Sequence, residues 1–407
     1  MKILIVSQYF WPENFRINDL ALELRKKGHH ITVLTGKPNY PQGKYYKGYS
    51  FFGHSSDTYE GIKVFRVPVF SRGNGNGFNL AINYMSFVIF SCLFIFIKPR
   101  KFDLTLTFAI SPITQVFAAL LHKKLFGSIT LLWVQDLWPE SVFAAGKMNY
   151  KSVYRVLSKM VKYIYKRTDK ILVSSEAFSA SIESKGVELN KIGYLPNWAE
   201  VIFTDETKFD LNKYKELIPK GFIAMFAGNI GESQDFDSIL KAAELTKNNP
   251  DIKWVIVGDG RKKSWVEEEI EKKGLQSTFF MLGRYPSEEM PIFFTHANVM
   301  LVTLKDTEIF GLTIPSKVQA YMAFGKPVLT MLNGIGSQII NEANCGFTAN
   351  AGDYIMLARN VIRAANLSNN NLNELGKNAH IYYRLNFSMS KILNDFENIC
   401  YGLVRRE

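Results

Sequence analysis

The sequence predicts an α/β protein built from two doubly wound parallel sheets, and three observations lead there. Each half opens on a strand–helix–strand unit: KILIV to HITVLTG in the first, FIAMFAG to WVIVGDG in the second. Joining strands through a helix makes them parallel neighbours. The 407 residues suffice for two domains of ordinary size. Four successive strand ends in the second half carry glycine, at Gly228, Gly258, Gly283 and Gly311. Ligands of open α/β sheets bind at the carboxyl ends of strands, and glycine lets them approach the backbone. The expected domains are residues 1–200 and 201–385, with a C-terminal helix over 386–407 crossing back to the first.

Charge is unevenly placed. Residues 1–200 hold 26 Lys and Arg against 13 Asp and Glu; residues 201–407 hold 23 against 24. The basic half calls for an anionic partner, such as a membrane surface or a phosphorylated substrate. Nucleic acid is disfavoured, because the aromatics are not interleaved with basic residues in any recognisable module. Three scattered cysteines form neither a disulfide framework nor a zinc pattern, and Met1 leads straight into a strand with no secretory signal. A cytoplasmic compartment is expected.

In the first half, KILIV is a buried strand and its loop carries Asn14, Phe15 and Arg16. It has no G-x-G-x-x-G, which argues against a dinucleotide. A helix stopped by Gly28 and the strand HITVLTG complete the unit. SRGNGNGF at 71–78 reads as a flexible turn. Residues 80–97 are the most apolar run, broken by Asn83, Ser86 and Ser91 and followed by Lys98, Arg100 and Lys101. Three readings stand: a buried helix, a helix at the membrane interface, or a span. SITLLWVQD ends in Asp136, placed either for site chemistry or to cap the next helix. Residues 150–170 form a basic amphipathic helix, with Lys151, Arg155, Lys159, Lys162 and Lys166 at helical spacing. Asn197 and the following AEVIFTDETKF, residues 199–209, read as a connection.

In the second half, 305–332 carries the chemistry: KDTEIFGLTIPSKVQAYMAFGKPVLTML. Asp306 and Glu308 fall in a loop. Pro315 suits the first position of a helix, with Ser316 and Lys317 in its first turn. Unpaired amides at a helix start attract anions, and a lysine adds a full charge. Gly325 and Pro327 end the helix before another strand.

SQYFWPENFRINDLALELRKKGHHITVLTG, WVQDLWPES, FAGNIGESQDF, VGDG, LGR and IPSKVQAYMAFGKPV together resemble glycosyltransferase family 4. Within it they are most similar to bacterial N-acetyl-L-fucosamine and fucose transferases of O-antigen, capsule and exopolysaccharide assembly. The resemblance implies the GT-B fold, two Rossmann-like doubly wound domains facing across a cleft, and a metal-independent enzyme with no cofactor. Its substrates would be a UDP-sugar and an undecaprenyl-diphosphate-linked saccharide, at the inner face of the plasma membrane. By position, Gly228, Asn229 and Gly231 would line the pyrophosphate and Arg284 the nucleobase. Glu308, Phe310, Gly311 and Leu312 would hold sugar and phosphates; Ser316 and Lys317 would complete the phosphate grip. Asp136, with Asn14, Phe15 and Arg16, would face the acceptor, and Asp136, Glu308 and Lys317 would carry catalysis. The sequence departs from the family where Asn229 and Asp235 replace its usual Arg and Lys. It also lacks the usual second Glu eight residues after Glu308, a position held by Ser316, and the usual His near Gln135 and Asp136. A non-catalytic nucleotide-sugar-binding protein or a GT-B sugar-nucleotide epimerase stand as alternatives.

Overall fold

A computed structural model describes residues 1–98, 100–144, 151–204, 210 and 212–404. Tyr150 of the expected basic helix, 205–209 of the expected connection and 405–407 of the expected last helix lie outside the described residues. The chain divides into two compact units, residues 1–196 with 393–407 and residues 197–392.

The first unit runs β1 (Lys2–Val6), α1 (Arg16–Lys26), β2 (His30–Gly36), β3 (Ser56–Tyr59), β4 (Ile62–Val67), α2 (Gly77–Ile97), β5 (Leu104–Ala109) and α3 (Val116–Phe126). It continues through β6 (Ile129–Val134), α4 (Glu140–Ala144), α5 (Lys151–Arg167), β7 (Lys170–Val173), α6 (Phe178–Glu183) and β8 (Ile192–Tyr194). The strand order is β3-β4-β2-β1-β5-β6-β7-β8. All pairs are parallel except β3 with β4, an edge hairpin that periodicity did not reveal. Its turn puts Glu60 at φ 46° and Gly61 at φ 76°, the doubly positive geometry that matches strand twist. The chain leaves β1 towards β2 and later returns to its other side as β5, so the sheet has its switch point between β1 and β5.

Helix α2 starts earlier than the apolar run implied. The turn at 71–78 does open a helix: the Asn76 side chain caps it by accepting the Asn79 N–H at 2.8 Å. Its faces are inverted relative to an ordinary surface helix. Asn83, Ser86 and Ser91 point inward with Phe87 and Ile95, and Asn83 bonds Gln8 and the Phe70 carbonyl. Outward stand Phe78, Ile82, Met85, Ile89, Leu93 and Phe96, spaced three or four residues apart on one stripe. Phe78 is 74% exposed, Met85 58%, Ile89 54% and Phe96 69%.

The second unit runs β9 (Phe222–Ala227), α7 (Phe236–Thr246), β10 (Ile252–Val257), α8 (Lys263–Lys273), β11 (Phe279–Gly283), α9 (Met290–His296), β12 (Val299–Thr303) and α10 (Glu308–Leu312). Then come α11 (Ser316–Ala323), β13 (Val328–Met331), α12 (Ile335–Glu342), β14 (Gly346–Ala349), α13 (Tyr354–Ala365) and α14 (Asn369–Asn386). The last helix, α15 (Met389–Val404), ends in the first unit, where Glu397 pairs with Lys27 and His29. Its order β11-β10-β9-β12-β13-β14 is wholly parallel, with the switch between β9 and β12. Both faces are covered. Ala224 and Phe226 of β9 enter one core with Trp254 and Leu301, while Ile223, Met225 and Ala227 enter the other with Val255 and Met300. Helix α12 and strand β14 escaped the sequence reading. β14 is four residues long and starts on Gly346, where a Cβ would stand 1.7 Å from the Val328 carbonyl oxygen. So short a strand, opening on an obligate glycine, has no alternation to read.

Candidate functional site

Lys317 is the centre of the second unit's site. Pro315 is the N-cap of α11 rather than its first helical residue, so Ser316 and Lys317 begin the helix itself. Tyr321 lies one turn on, on the same face, and its buried hydroxyl bonds both the N–H and the carbonyl of Ala227 at 3.2 and 3.1 Å. That anchor holds the start of α11 against the end of β9. The Lys317 ammonium consequently rests 3.5 Å from the centre of the Phe226 ring. A Cβ on Gly228 would meet Lys317 Cε at 2.7 Å, so the glycine keeps this space open. Among the described residues no carboxylate pairs with Lys317, and burial pushes its pKa down to about 7. An unpaired cation at a helix start, at the sheet's switch point, is arranged to receive an anion.

Beside it, a cavity of about 1160 Å³ is lined by Gly228, Asn229, Asp259, Gly260, Arg261 and Arg284, among others. Asn229 and Arg284 are exposed there. Gly231 faces a separate recess with Glu232 and Lys262, and its N–H is bonded to Gln234 at 3.1 Å. Glu308 is exposed at the first position of α10, a short helix where a loop was expected; Phe310, Gly311 and Leu312 share that helix. None of these four, nor exposed Ser316, lines the cavity. The row of glycines also divides by cause. Gly228, Gly258 and Gly283 end adjacent strands at positive φ, but a Cβ on Gly258 would strike the Gly228 carbonyl oxygen at 1.9 Å. Packing between backbones, rather than a ligand, requires that glycine. At Gly311 a Cβ would meet nothing nearer than 3.9 Å. A recess of about 1060 Å³ at the amino ends of β12 and β13, lined in part by Lys326 and His380, lies at the wrong end of the strands for this chemistry.

In the first unit, Asp136 follows β6 and its Oδ2 accepts the Ser111 N–H and hydroxyl at 2.9 and 3.0 Å. It therefore braces the loop after β5 and does not cap the following helix. Trp138 Nε1 donates to the same Ser111 oxygen at 3.0 Å. Burial raises the Asp136 pKa against the lowering effect of the Ser111 bonds. Phe15 stacks on Tyr9 with ring centres 5.5 Å apart and lies 5.3 Å from Tyr40. Arg16 begins α1 behind it, and Asn14 is exposed.

Glu13, overlooked in sequence, is buried and accepts the Asn39 and Tyr40 N–H groups through Oε1 at 2.8 and 2.7 Å. It ties the loop after β2 to the loop after β1. Burial pushes its pKa up to about 7, above the ordinary 4.5. In that window the folded chain holds the extra proton, so stability falls as pH rises from about 4.5 to about 7. Glu13→Gln keeps the accepting oxygen; chemical denaturation across that range is expected to show the fall flattened in the variant.

Comparison with known proteins agrees with this geometry. Residues 208–381 match the family described as Glycosyl transferases group 1. The chain is 28% identical over 269 residues to the probable glycosyltransferase WbjE of Pseudomonas aeruginosa, covering 64% of this chain and 66% of that one. It is 26% identical over 341 residues to WcaI of Escherichia coli K12, named as a colanic acid biosynthesis glycosyl transferase, covering 80% and 82%. In structure it is similar to Anabaena HepE in complex with UDP, with TM-score 0.70, 15% identity and coverage of 99% and 100%. WaaG, a glycosyltransferase involved in lipopolysaccharide biosynthesis, aligns with TM-score 0.67 at 15% identity, covering 99% and 100%. The chain has the GT-B fold, and its residues 208–381 match the glycosyl transferases group 1 family.

Proposed function

We propose that this protein transfers a sugar from a UDP-sugar to a saccharide carried on a lipid diphosphate, at the cytoplasmic membrane surface, in bacterial surface polysaccharide assembly. N-acetyl-L-fucosamine or a related deoxy sugar is the first donor to test. The observation that carries the transferase reading is Lys317: a part-buried ammonium with no counter-ion among the described residues, at a helix start beside Gly228. Cleaving the donor's C1–O bond leaves negative charge on the departing diphosphate. A cation and helix amides already aimed at that charge lower the barrier without reorganising. Their greatest effect comes after cleavage, when the β-phosphate carries the extra charge, and that difference is what accelerates the step. Asp136 would orient the acceptor hydroxyl or take its proton.

The inverted helix α2 supports a lipid-borne acceptor. Its inner face is bonded into the first unit, which favours its lying along a membrane over passing through it, although the helix has 21 residues and its most apolar 18-residue window a mean hydropathy of 2.3. Exposed Lys151, Arg155, Lys159, Lys162 and Lys166 on α5 add attraction to anionic lipid. The test is a panel of UDP-sugars against lipid-diphosphate saccharides in liposomes, read by mass spectrometry. A sugar-mass increment on the lipid is expected. Release of UDP without an acceptor product, or conversion of the donor to an epimer, would overturn the reading.

A further inference from the structure

We propose that Arg72, caged by Tyr9, Tyr40 and Tyr84, binds the phosphate group of an amphiphilic ligand. This rests on the lipid-linked acceptor reading and names the part of that acceptor recognised in the first unit. The guanidinium lies 5.5 Å from the centre of the Tyr9 ring and 5.1 Å from that of Tyr40. Its Nη1 donates to the Tyr9 hydroxyl at 2.5 Å, and its backbone N–H is held by the Asn39 side chain at 3.1 Å. Asn39 and Tyr40 are themselves positioned by buried Glu13. Tyr84, on the inner side of α2, touches the cluster through Tyr9 and feels both Arg72 and Asp136.

Among the described residues no carboxylate forms an ion pair with Arg72. One of its five donors is committed to a side chain, and among the described residues the rest of the fork has no hydrogen-bond partner. A guanidinium fixed in place, with donors to spare, matches a phosphate in a bidentate manner. The aromatic walls weaken competition from water and strengthen the interaction.

The surroundings select an amphiphile. The segment around Arg72 runs between two exposed aromatic side chains: Phe70 packs on Phe51, and Phe78 begins the outward stripe of α2. The segment before Arg72 is pinned to the inner face of α2, where Ser86 accepts the Phe70 N–H at 3.1 Å and Asn83 donates to the Phe70 carbonyl at 2.5 Å. The cation thus sits where an apolar surface gives way to polar side chains, with Asp136 near enough to act on Tyr84. A hydrocarbon tail on the stripe, a phosphate on Arg72 and a sugar towards Asp136 would follow that order.

Farnesyl diphosphate, farnesol and inorganic pyrophosphate serve as probes in titration calorimetry with the full chain and its Arg72→Ala, Arg72→Lys and Lys317→Ala variants. Farnesyl diphosphate is expected to bind the parent and to weaken about 10- to 100-fold in Arg72→Ala, less in Arg72→Lys, and little in Lys317→Ala. Farnesol should not distinguish Arg72→Ala from the parent, and pyrophosphate should bind Arg72 more weakly than the prenyl compound. Equal affinity of parent and Arg72→Ala for farnesyl diphosphate overturns the assignment, as does a loss seen only in Lys317→Ala. If liposome transfer fails while Arg72-dependent binding persists, the transferase reading falls and this one stands. If transfer occurs with Arg72→Ala unimpaired in acceptor KM, the reverse holds.

Discussion

Lys317→Ala is expected to lower turnover by at least ~10²-fold, because it removes the cation that the proposed reaction aims at the leaving diphosphate. Comparison of kcat on a saturating acceptor, with folding checked by circular dichroism, measures it; an unchanged rate in a folded variant removes Lys317 from the mechanism. A second readout follows from its lowered pKa of about 7. In the proposed reaction UDP meets the protonated lysine, so affinity in the parent should fall as pH rises above about 7, by up to tenfold per unit until the pKa of the complex is reached. Lys317→Met should be weak throughout and flat over the same range. Stability of the empty protein moves the other way. Between about 7 and 10.5 the unfolded chain holds the extra proton, so stability rises with pH, and Lys317→Met should remove that rise. Phosphate ionisation is largely complete by pH ~7, so titrations from there upward isolate the lysine.

Charging the outward stripe of α2 should release the protein from membranes and leave its fold intact. In Met85→Glu with Ile89→Glu, both sites are more than half exposed, and surface changes of this kind alter stability by about 0.5 kcal/mol or less each. Full burial of such side chains is worth roughly 1.5–3 kcal/mol apiece, so liposome partitioning should drop by about 10²-fold or more. Flotation with anionic vesicles measures this. Lys159→Glu with Lys162→Glu on α5 should weaken binding more modestly, at ~1 kcal/mol per lysine, and mainly at low salt. Undiminished flotation of the α2 variant would mean that some other surface, or none, meets lipid.

The inverted helix also shows why the apolar run could not be interpreted in isolation. Length and hydropathy described a helix able to be buried, to float or to span. Asn83, Ser86 and Ser91 looked like interruptions of an apolar segment. They are its protein-facing side: Gln8 and Phe70 supply partners to Asn83 and Ser86, while buried Ser91 bonds the Val88 carbonyl of its own helix. No local pattern encodes which face of a helix finds those partners.

Much of the fold was legible for the opposite reason. Strands such as IKWVIV and FIAMFA are continuous apolar runs that only a sheet covered on both faces can bury, and Gly127, Gly274 and Gly325 mark helix ends by adopting positive φ. These are properties of a few contiguous residues. Strand β3 of the edge hairpin, α12 and β14 were not legible, since each is too short for its period to emerge above noise.

By itself, then, the sequence determined the α/β alternation, the parallel sheets and the anion-attracting start of α11 with Lys317. These depend on neighbours along the chain and on backbone stereochemistry. Strand order decided the rest. Placing β9 beside β12 set Lys317 against Gly228 and drew Glu308 and Gly231 away from the neighbouring cavity. Placing β1 beside β5 gathered Tyr9, Arg72, Tyr84 and Asp136 from four separate segments. Contacts between distant segments depend on which strands pair, and the energy that selects the pairing is spread over the whole core rather than written at the residues that meet.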